Sequence, residues 1–305
     1  MPATPLSVRI APPQSRRLDG VVRDYVELTK PRIVALLLIT GLCAMVVAAG
    51  GMPSVSQTLW AMFGLALSCG GANAINMWYD RDIDPLMGRT RNRPVPSGRV
   101  AAQHALMFGI VLEMASFIAL AMMVNLLSAV LAFAGFAYYV FLYTMWLKRR
   151  TPQNIVIGGG AGAFPPLVGW AAVTGAVGWP AILMFLIVFL WTPPHFWALA
   201  LYKQDDYRRA GIPMMPVARG DSTTKRQSLF YAVLLVAVSL LLYSTHVVGL
   251  LYLAVAVVLG SVFIGHAVLL LRERAPEVKW AKRTFAFSLL YLTGIFAVMV
   301  LNVHR

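Results

Sequence analysis

The stretch Asn73-Ala-Ile-Asn76-Met-Trp-Tyr-Asp80-Arg-Asp82-Ile-Asp84-Pro85 holds the residue types best suited to chemistry in this sequence. Asn76, Asp80 and Asp84 fall four residues apart, so on a continuing helix they project from one face, one turn above another. Pro85 is expected to end that helix just after Asp84, because its ring disfavours helical backbone at the residue before it. Two carboxylates and an amide oxygen make a seat for Mg²⁺, an ion that takes one or two carboxylates and completes its shell with phosphate and water. Arg89, Arg91 and Arg93 follow within ten residues of Asp84, and guanidinium groups are suited to phosphate oxygens. The plain alternative is a solvated loop in which acids balance arginines. Against it, the stretch continues an apolar segment, where acids are rare. The pattern reads as a diphosphate site.

The elements that must position these residues are membrane helices. Of the 305 residues, 59% are hydrophobic and 12% charged, too apolar a chain for one soluble core. Nine apolar spans are read, at about 33–50, 57–76, 103–123, 126–145, 154–172, 178–199, 228–246, 249–270 and 284–303, each near the ~20 residues that cross a bilayer. The expected fold is an all-α bundle of nine transmembrane helices over 33–305, preceded by a cytoplasmic N-terminal segment, 1–32. The tight turns near Asn125 and His246–Gly249 divide what are otherwise merged apolar runs. Cys43 and Cys69 lie within spans and read as packing residues.

The net charge of +14 does not mark a nucleic-acid partner, because the charges lie in short loops between spans. They suit anionic lipid and diphosphate instead. All but one of the 26 Lys and Arg fall in the N-terminal segment or in the loops after spans 2, 4, 6 and 8. The positive-inside rule then places the N-terminus in the cytoplasm and the C-terminus, with Arg305, outside. The first 30 residues are basic, Pro-containing and poor in Ser, with no secretory signal. A bacterial inner membrane is expected rather than a mitochondrial one.

Asn76-x-x-x-Asp80-x-x-x-Asp84 resembles the first aspartate-rich motif of the UbiA family of intramembrane prenyltransferases, and Leu28-Thr-Lys30-Pro31-Arg32 is similar to the segment that leads into that family's first helix. The closer likeness is to the haem O synthase branch. It is carried by Asp84 with Arg89-Thr-Arg-Asn-Arg93-Pro94, by Trp191-Thr-Pro-Pro-His195-Phe-Trp, and by Leu201-Tyr202-Lys203-Gln-Asp-Asp206-Tyr207-Arg208 and the residues on to Pro216. The likeness covers nearly the whole chain. Where most relatives in the family place two aspartates four apart after span 6, this chain has Tyr202 four residues before Asp206 and Lys203 three before. That departure fits the haem O branch and argues against a symmetric site of four aspartates.

The resemblance implies Mg²⁺ held by Asn76, Asp80, Asp84 and Asp206, with Arg89, Arg93, Lys203 and Arg208 around the diphosphate. It implies farnesyl diphosphate and haem B as substrates, haem O as product, and a haem-modifying enzyme downstream as a partner. Asp80, Asp84, Lys203 and Asp206 are the expected catalytic residues. His195 follows Pro193 and Pro194, which are expected to open the helix and free carbonyls. There it serves either as a contact to haem or as a hydrogen-bonding strut. Glu113 is the one carboxylate in mid-span, where an interhelical hydrogen bond to Ser or Asn is the plain reading. Gly158-Gly-Gly-Ala-Gly162 lies inside span 5 and signals close helix packing rather than a phosphate loop. Two rivals remain at this stage. One is a UbiA-type enzyme acting on a quinone precursor. The other is a secondary transporter, against which the acids lie at the boundary rather than the midplane.

Overall fold

The computed structural model describes residues 18–274 and 276–303. Arg9, Arg16, Arg17, His304 and Arg305 lie outside the described residues. Among those described, nine helices are long and apolar enough to cross a membrane, and the secondary structure is helical throughout apart from one isolated bridge between Val248 and Val303. A short amphipathic helix, α1 (Leu18–Leu28), comes first. The spans are then α2 (Pro31–Ala48), α3 (Val55–Tyr79), α4 (Ala102–Met123), and α5 (Leu126–Ala137), which runs on as a π-helix over Tyr138–Leu147. The fifth span is composite: α6 (Asn154–Gly158), a 3₁₀ turn over Gly159–Ala163, and α7 (Phe164–Thr174). There follow α8 (Trp179–Tyr202), a surface helix α9 (Gln204–Arg209), α10 (Met215–Leu241), α11 (Leu250–Arg272) and α12 (Lys279–Leu301). Non-helical backbone at Gly220 (φ 78°) breaks α10 ahead of its apolar part.

The turns fall where polar side chains satisfy helix ends. Asn125 caps α5, its Oδ1 accepting from Ser128 N at 2.8 Å while its Nδ2 donates to Ala171 O at 2.9 Å. That double use fixes both a helix start and a neighbouring helix. His246 takes a left-handed conformation (φ 59°) in the turn before α11.

In a bilayer, helices associate by close packing rather than by hydrophobic exclusion, and glycines permit it here. A Cβ built on Gly169 of α7 comes within 2.1 Å of Gly41 O on α2. On α3 and α4, Gly71 and Gly109 each lie against the other's carbonyl oxygen, at 2.7 and 2.8 Å from the added Cβ. The glycine run of the fifth span packs as expected, with Gly158 against Tyr143 and Gly159 against Thr192. A large aromatic core, including Trp191, Tyr252, Phe263, Tyr291 and Phe296, joins α8, α10, α11 and α12. Met107, Val111, Met114 and Ile118 of α4 form an outward apolar stripe suited to lipid.

Two expectations need correction. The helix carrying Asn76 does not continue to Asp84. It stops at Tyr79, and Asp80–Asp82 and Asp84–Leu86 form separate 3₁₀ turns. Pro85 supplies part of the reason, since it has no amide proton for a carbonyl one turn back and biases Asp84 away from helix. Conversely, Pro193 and Pro194 do not open α8, which keeps a helical course through both. Packing on all sides holds it: every residue from Leu190 to His195 is buried.

Gly169→Ala is expected to destabilise the protein by about 1–3 kcal/mol, the range for overpacking a tight interface, because the obstacle is backbone. Gly265→Ala, whose added Cβ meets nothing within 4 Å, is expected to leave stability unchanged or slightly raised. Thermal unfolding of the two variants in detergent checks the pair.

Candidate active site

The charge-rich segments gather at one end of the bundle. Arg99, in the loop after α3, pairs with Asp24 and, at 2.8 Å, with Glu27 of α1. Lys148, just past the π-helix, pairs with Asp80. Gly88 lies against the Asp206 carboxylate, and Lys225 of α10 donates to Glu273 O at 2.8 Å. The N-terminal segment and the loops after spans 2, 4, 6 and 8 thus meet, as the charge pattern requires of a single membrane face.

Asp80 and Asp84 are both buried, and each faces cations. Asp80 Oδ2 accepts from Asn76 Nδ2 at 2.9 Å and pairs with Lys148, while Arg149 approaches Oδ1 at 3.5 Å. Arg93 Nη1 reaches both oxygens of Asp84, at 3.2 and 2.9 Å. The Asn76 amide is fully committed: Nδ2 donates also to Thr144 Oγ1 at 3.1 Å, and Oδ1 accepts from Lys30 Nζ at 2.8 Å. Because an ammonium only donates, that last bond fixes which end of the amide faces Lys30. A 3₁₀ turn in place of helix therefore still brings Asn76 and Asp80 together, through a bond between them.

Lys30 and Lys148 are the residues that sequence reasoning missed as members of the site. Lys30 adopts a left-handed backbone (φ 54°, ψ 62°) between Thr29 and Pro31, a conformation costly for a residue with a Cβ. Loss of hydration, together with nearby Arg93 and Lys148, holds its ammonium well below the usual lysine range, against the opposing pull of Asp80 and Asp84. Strained backbone and crowded charge at one residue are features of functional sites. Lys148 is placed by the π-helix, whose wider step is closed by Lys148 N donating to Tyr143 O at 2.9 Å. The only sequence signals were Lys30 before a proline and Lys148 at the head of a basic triplet.

A cleft at the same end is lined by Met87, Arg89, Leu199, Lys203, Asp206 and Tyr207. The loops after spans 2 and 6 therefore meet. The side chains of Arg89 and Lys203 make no hydrogen bond or ion pair among the described residues. Two unpaired cations facing one cleft make an anion seat. Asp206 is paired with Arg209. Arg208 does not join the cleft: its guanidinium is exposed and pairs with Asp205 at 2.9 Å, because it projects from the outer side of the short helix α9. Beneath the ions, Ile83, Met87, Ile155, Ala200 and Tyr207 form an apolar floor, with Tyr143 and Phe196 packed against it.

His195 is buried on α8, its ring stacked between Trp191 and Phe285. Glu113 is buried too, and Ser68 of α3 is the hydroxyl that approaches its carboxyl, although that hydroxyl is directed at Ala132 O, 3.3 Å away. Among the described residues no three acidic, His or Cys side chains cluster as a metal cage. The donor set nevertheless fits a hard ion that needs one or two carboxylates and phosphate. Asn76 Oδ1, Asp80 and Asp84 already attract four cationic side chains, Lys30, Lys148, Arg149 and Arg93.

The profile of the UbiA prenyltransferase family matches residues 37–290. The chain belongs to that family. Within the UbiA family it is 62% identical over 285 residues to the protoheme IX farnesyltransferase of Symbiobacterium thermophilum, spanning 93% of this chain and 95% of that one. It is 47% identical over 286 residues to the protoheme IX farnesyltransferase of Brucella anthropi, spanning 93% and 91%. In fold it is similar to a digeranylgeranylglyceryl phosphate synthase (TM-score 0.78, 21% identity, 92% of this chain and 98% of that one). It is also similar to a UbiA homologue from Archaeoglobus fulgidus bound to GPP and Mg²⁺ (TM-score 0.63, 16% identity, 90% and 99%). The nine-helix UbiA architecture accounts for why loops four spans apart meet over one site.

Lys30→Gly is expected to be about 1 kcal/mol more stable than Lys30→Ala, since both lose the ammonium and only alanine keeps the left-handed strain. Comparing the two variants by thermal unfolding isolates the backbone term.

Proposed function

We propose that this protein transfers the farnesyl group of farnesyl diphosphate to a vinyl group of protohaem IX, giving haem O, at the cytoplasmic face of a bacterial inner membrane. The observation that carries the reading is the cleft in which Arg89 and Lys203, from separate loops, stand unpaired beside Asp206, in a chain so similar to protoheme IX farnesyltransferases.

Asn76, Asp80, Asp84 and Asp206 would hold Mg²⁺, which supplies positive charge against the diphosphate and its leaving oxygen. Arg89 and Lys203 bind the diphosphate and take up the negative charge that grows on it, and Arg93, Lys30 and Lys148 stand behind them. As the C1–O bond breaks, its electron pair leaves with the diphosphate. The allylic cation that remains lies over the apolar floor of Ile83, Met87 and Tyr207, away from water. The vinyl π electrons of haem then form the new C–C bond, and water adds to the resulting cation with loss of a proton, giving the hydroxyethylfarnesyl group. Haem B is a substrate here and not a resident cofactor. His195, two helical turns from Lys203 along α8, is the residue assigned to the haem.

Inverted membrane vesicles supplied with Mg²⁺, haem B and farnesyl diphosphate are expected to form haem O, and right-side-out vesicles to form none. Asp80→Ala and Asp84→Ala are each expected to lower the yield at least about 100-fold, on the scale of a lost electrostatic group. Undiminished haem O formation in both variants would refute the metal-site assignment. Prenylation of 4-hydroxybenzoate in place of haem would favour a quinone precursor as acceptor.

A further inference from the structure

His195 is held with unusual completeness. Its ring lies between Trp191, at 4.2 Å between centroids and 20° between planes, and Phe285, at 4.6 Å and 25°. Phe196 meets it edge-on at 5.1 Å. Both faces of the imidazole are therefore covered, and only its edges are left. On one edge, Nδ1 lies 2.7 Å from Ser288 Oγ of α12.

The serine decides the direction of that bond. Its single hydroxyl proton is directed to Phe285 O at 2.6 Å, and a carbonyl oxygen only accepts. Ser288 Oγ is left to accept, so Nδ1 carries the proton and donates. The backbone of the same serine is tied in as well, because Trp191 Nε1 donates to Ser288 O at 2.7 Å. One residue of α12 thus fixes both the imidazole and a ring stacked on it.

In a neutral imidazole with the proton on Nδ1, Nε2 bears the lone pair. Nε2 has no hydrogen-bond partner among the described residues, yet it is absent from the fully enclosed polar atoms that lack one. It is an open edge. His266 offers a contrast: its Nδ1 is fully enclosed without a partner, so nothing fixes its tautomer from that side. His195 does not itself line the cleft but lies one helical turn from it. Leu199, one turn along α8 from His195, lines it together with Lys203 and Asp206, and residues four apart share a helix side.

A histidine whose far nitrogen donates to a fixed acceptor is the usual form of a metal-ligating histidine, since the outer bond orients the ring and sets its tautomer. We infer that Ser288 is a positioning residue, holding His195 as the Nδ1–H tautomer so that Nε2 ligates the iron of the haem substrate. Ligation at the iron anchors the porphyrin while leaving its vinyl groups free to react. The inference rests on the reading of haem as acceptor.

The test uses the full-length protein in lipid nanodiscs, titrated with haem B and read by absorption and by resonance Raman of the ferrous state. Wild type is expected to give a histidine-ligated spectrum with an iron–histidine stretching band. His195→Ala is expected to lose that band, and added imidazole to restore a ligated spectrum. Ser288→Ala is expected to bind haem about 10-fold more weakly, the scale for losing an outer partner, with a shifted band, and Ser288→Thr to recover both. A spectrum unchanged in His195→Ala, or a band and affinity unchanged in Ser288→Ala, overturns the inference. Should Ser288→Ala fail to fold, the His195→Ala and imidazole arm decides alone. Haem O formed by wild type with an unchanged His195→Ala spectrum would sink only this inference, whereas no haem uptake and no haem O would sink the acceptor reading with it.

Discussion

The structure depends on a buried array of opposite charges at one end of a membrane bundle. Asp80 and Asp84 are both out of water, where an isolated carboxylate would be intolerable. Lys148, Arg149 and Arg93 offset them, and Asn76 links Asp80 to Lys30. Those five partners come from the start of α2, the body of α3, the loop after it and the end of the π-helix. The array therefore joins the first, second and fourth spans, and no span in that half can move far without leaving a buried charge unpaired. The second half of the site is held differently. Lys203 sits at the junction of α8 and the short surface helix α9, which carries Asp206, and the cleft between the halves keeps two unpaired cationic side chains.

That asymmetry has a chemical consequence. In the first half Lys30, Lys148, Arg149 and Arg93 each already have an acid or an amide oxygen, so a metal would have to displace ammonium or guanidinium groups to reach the carboxylates. In the cleft between the halves the side chains of Arg89 and Lys203 would receive an anion. On the proposed reading, a diphosphate arriving with Mg²⁺ would satisfy both at once, because the displaced Lys30, Lys148 and Arg93 would find phosphate oxygens in place of carboxylates. Charge on each side of the exchange is conserved, which keeps the desolvation penalty low in a site that is largely dry.

Much of this was legible in the sequence. Nine spans and one charged face follow from hydropathy and from the placement of Lys and Arg, because the bilayer imposes both length and sidedness on every helix. Asp80 and Asp84 stood out as candidates because acids at the end of an apolar helix have few structural excuses, and Arg93 because it follows them in a basic cluster, whereas Lys203 and Asp206 were singled out by the family likeness. What sequence could not show was geometry set by non-ideal backbone. The 3₁₀ turns at Asp80 and Asp84, the left-handed Lys30 and the π-helix that delivers Lys148 each depart from the helical spacing on which such reasoning relies. Pro193 and Pro194 misled in the opposite sense, since packing around α8 overrode a local preference to break. Arg208, which the family likeness sets beside the diphosphate, pairs instead with Asp205 on the exposed side of a six-residue helix.

The central claim is that metal and diphosphate enter by exchanging cations, and calorimetric titration of the purified protein tests it most directly. Mg²⁺ alone is expected to bind weakly, as is a non-hydrolysable farnesyl diphosphate analogue alone. Each should bind at least about 10-fold more tightly in the presence of the other, a coupling that thermodynamics makes reciprocal. Tight Mg²⁺ binding that is indifferent to the analogue would contradict the account, since it would mean that the acids are free of their cations before the diphosphate arrives.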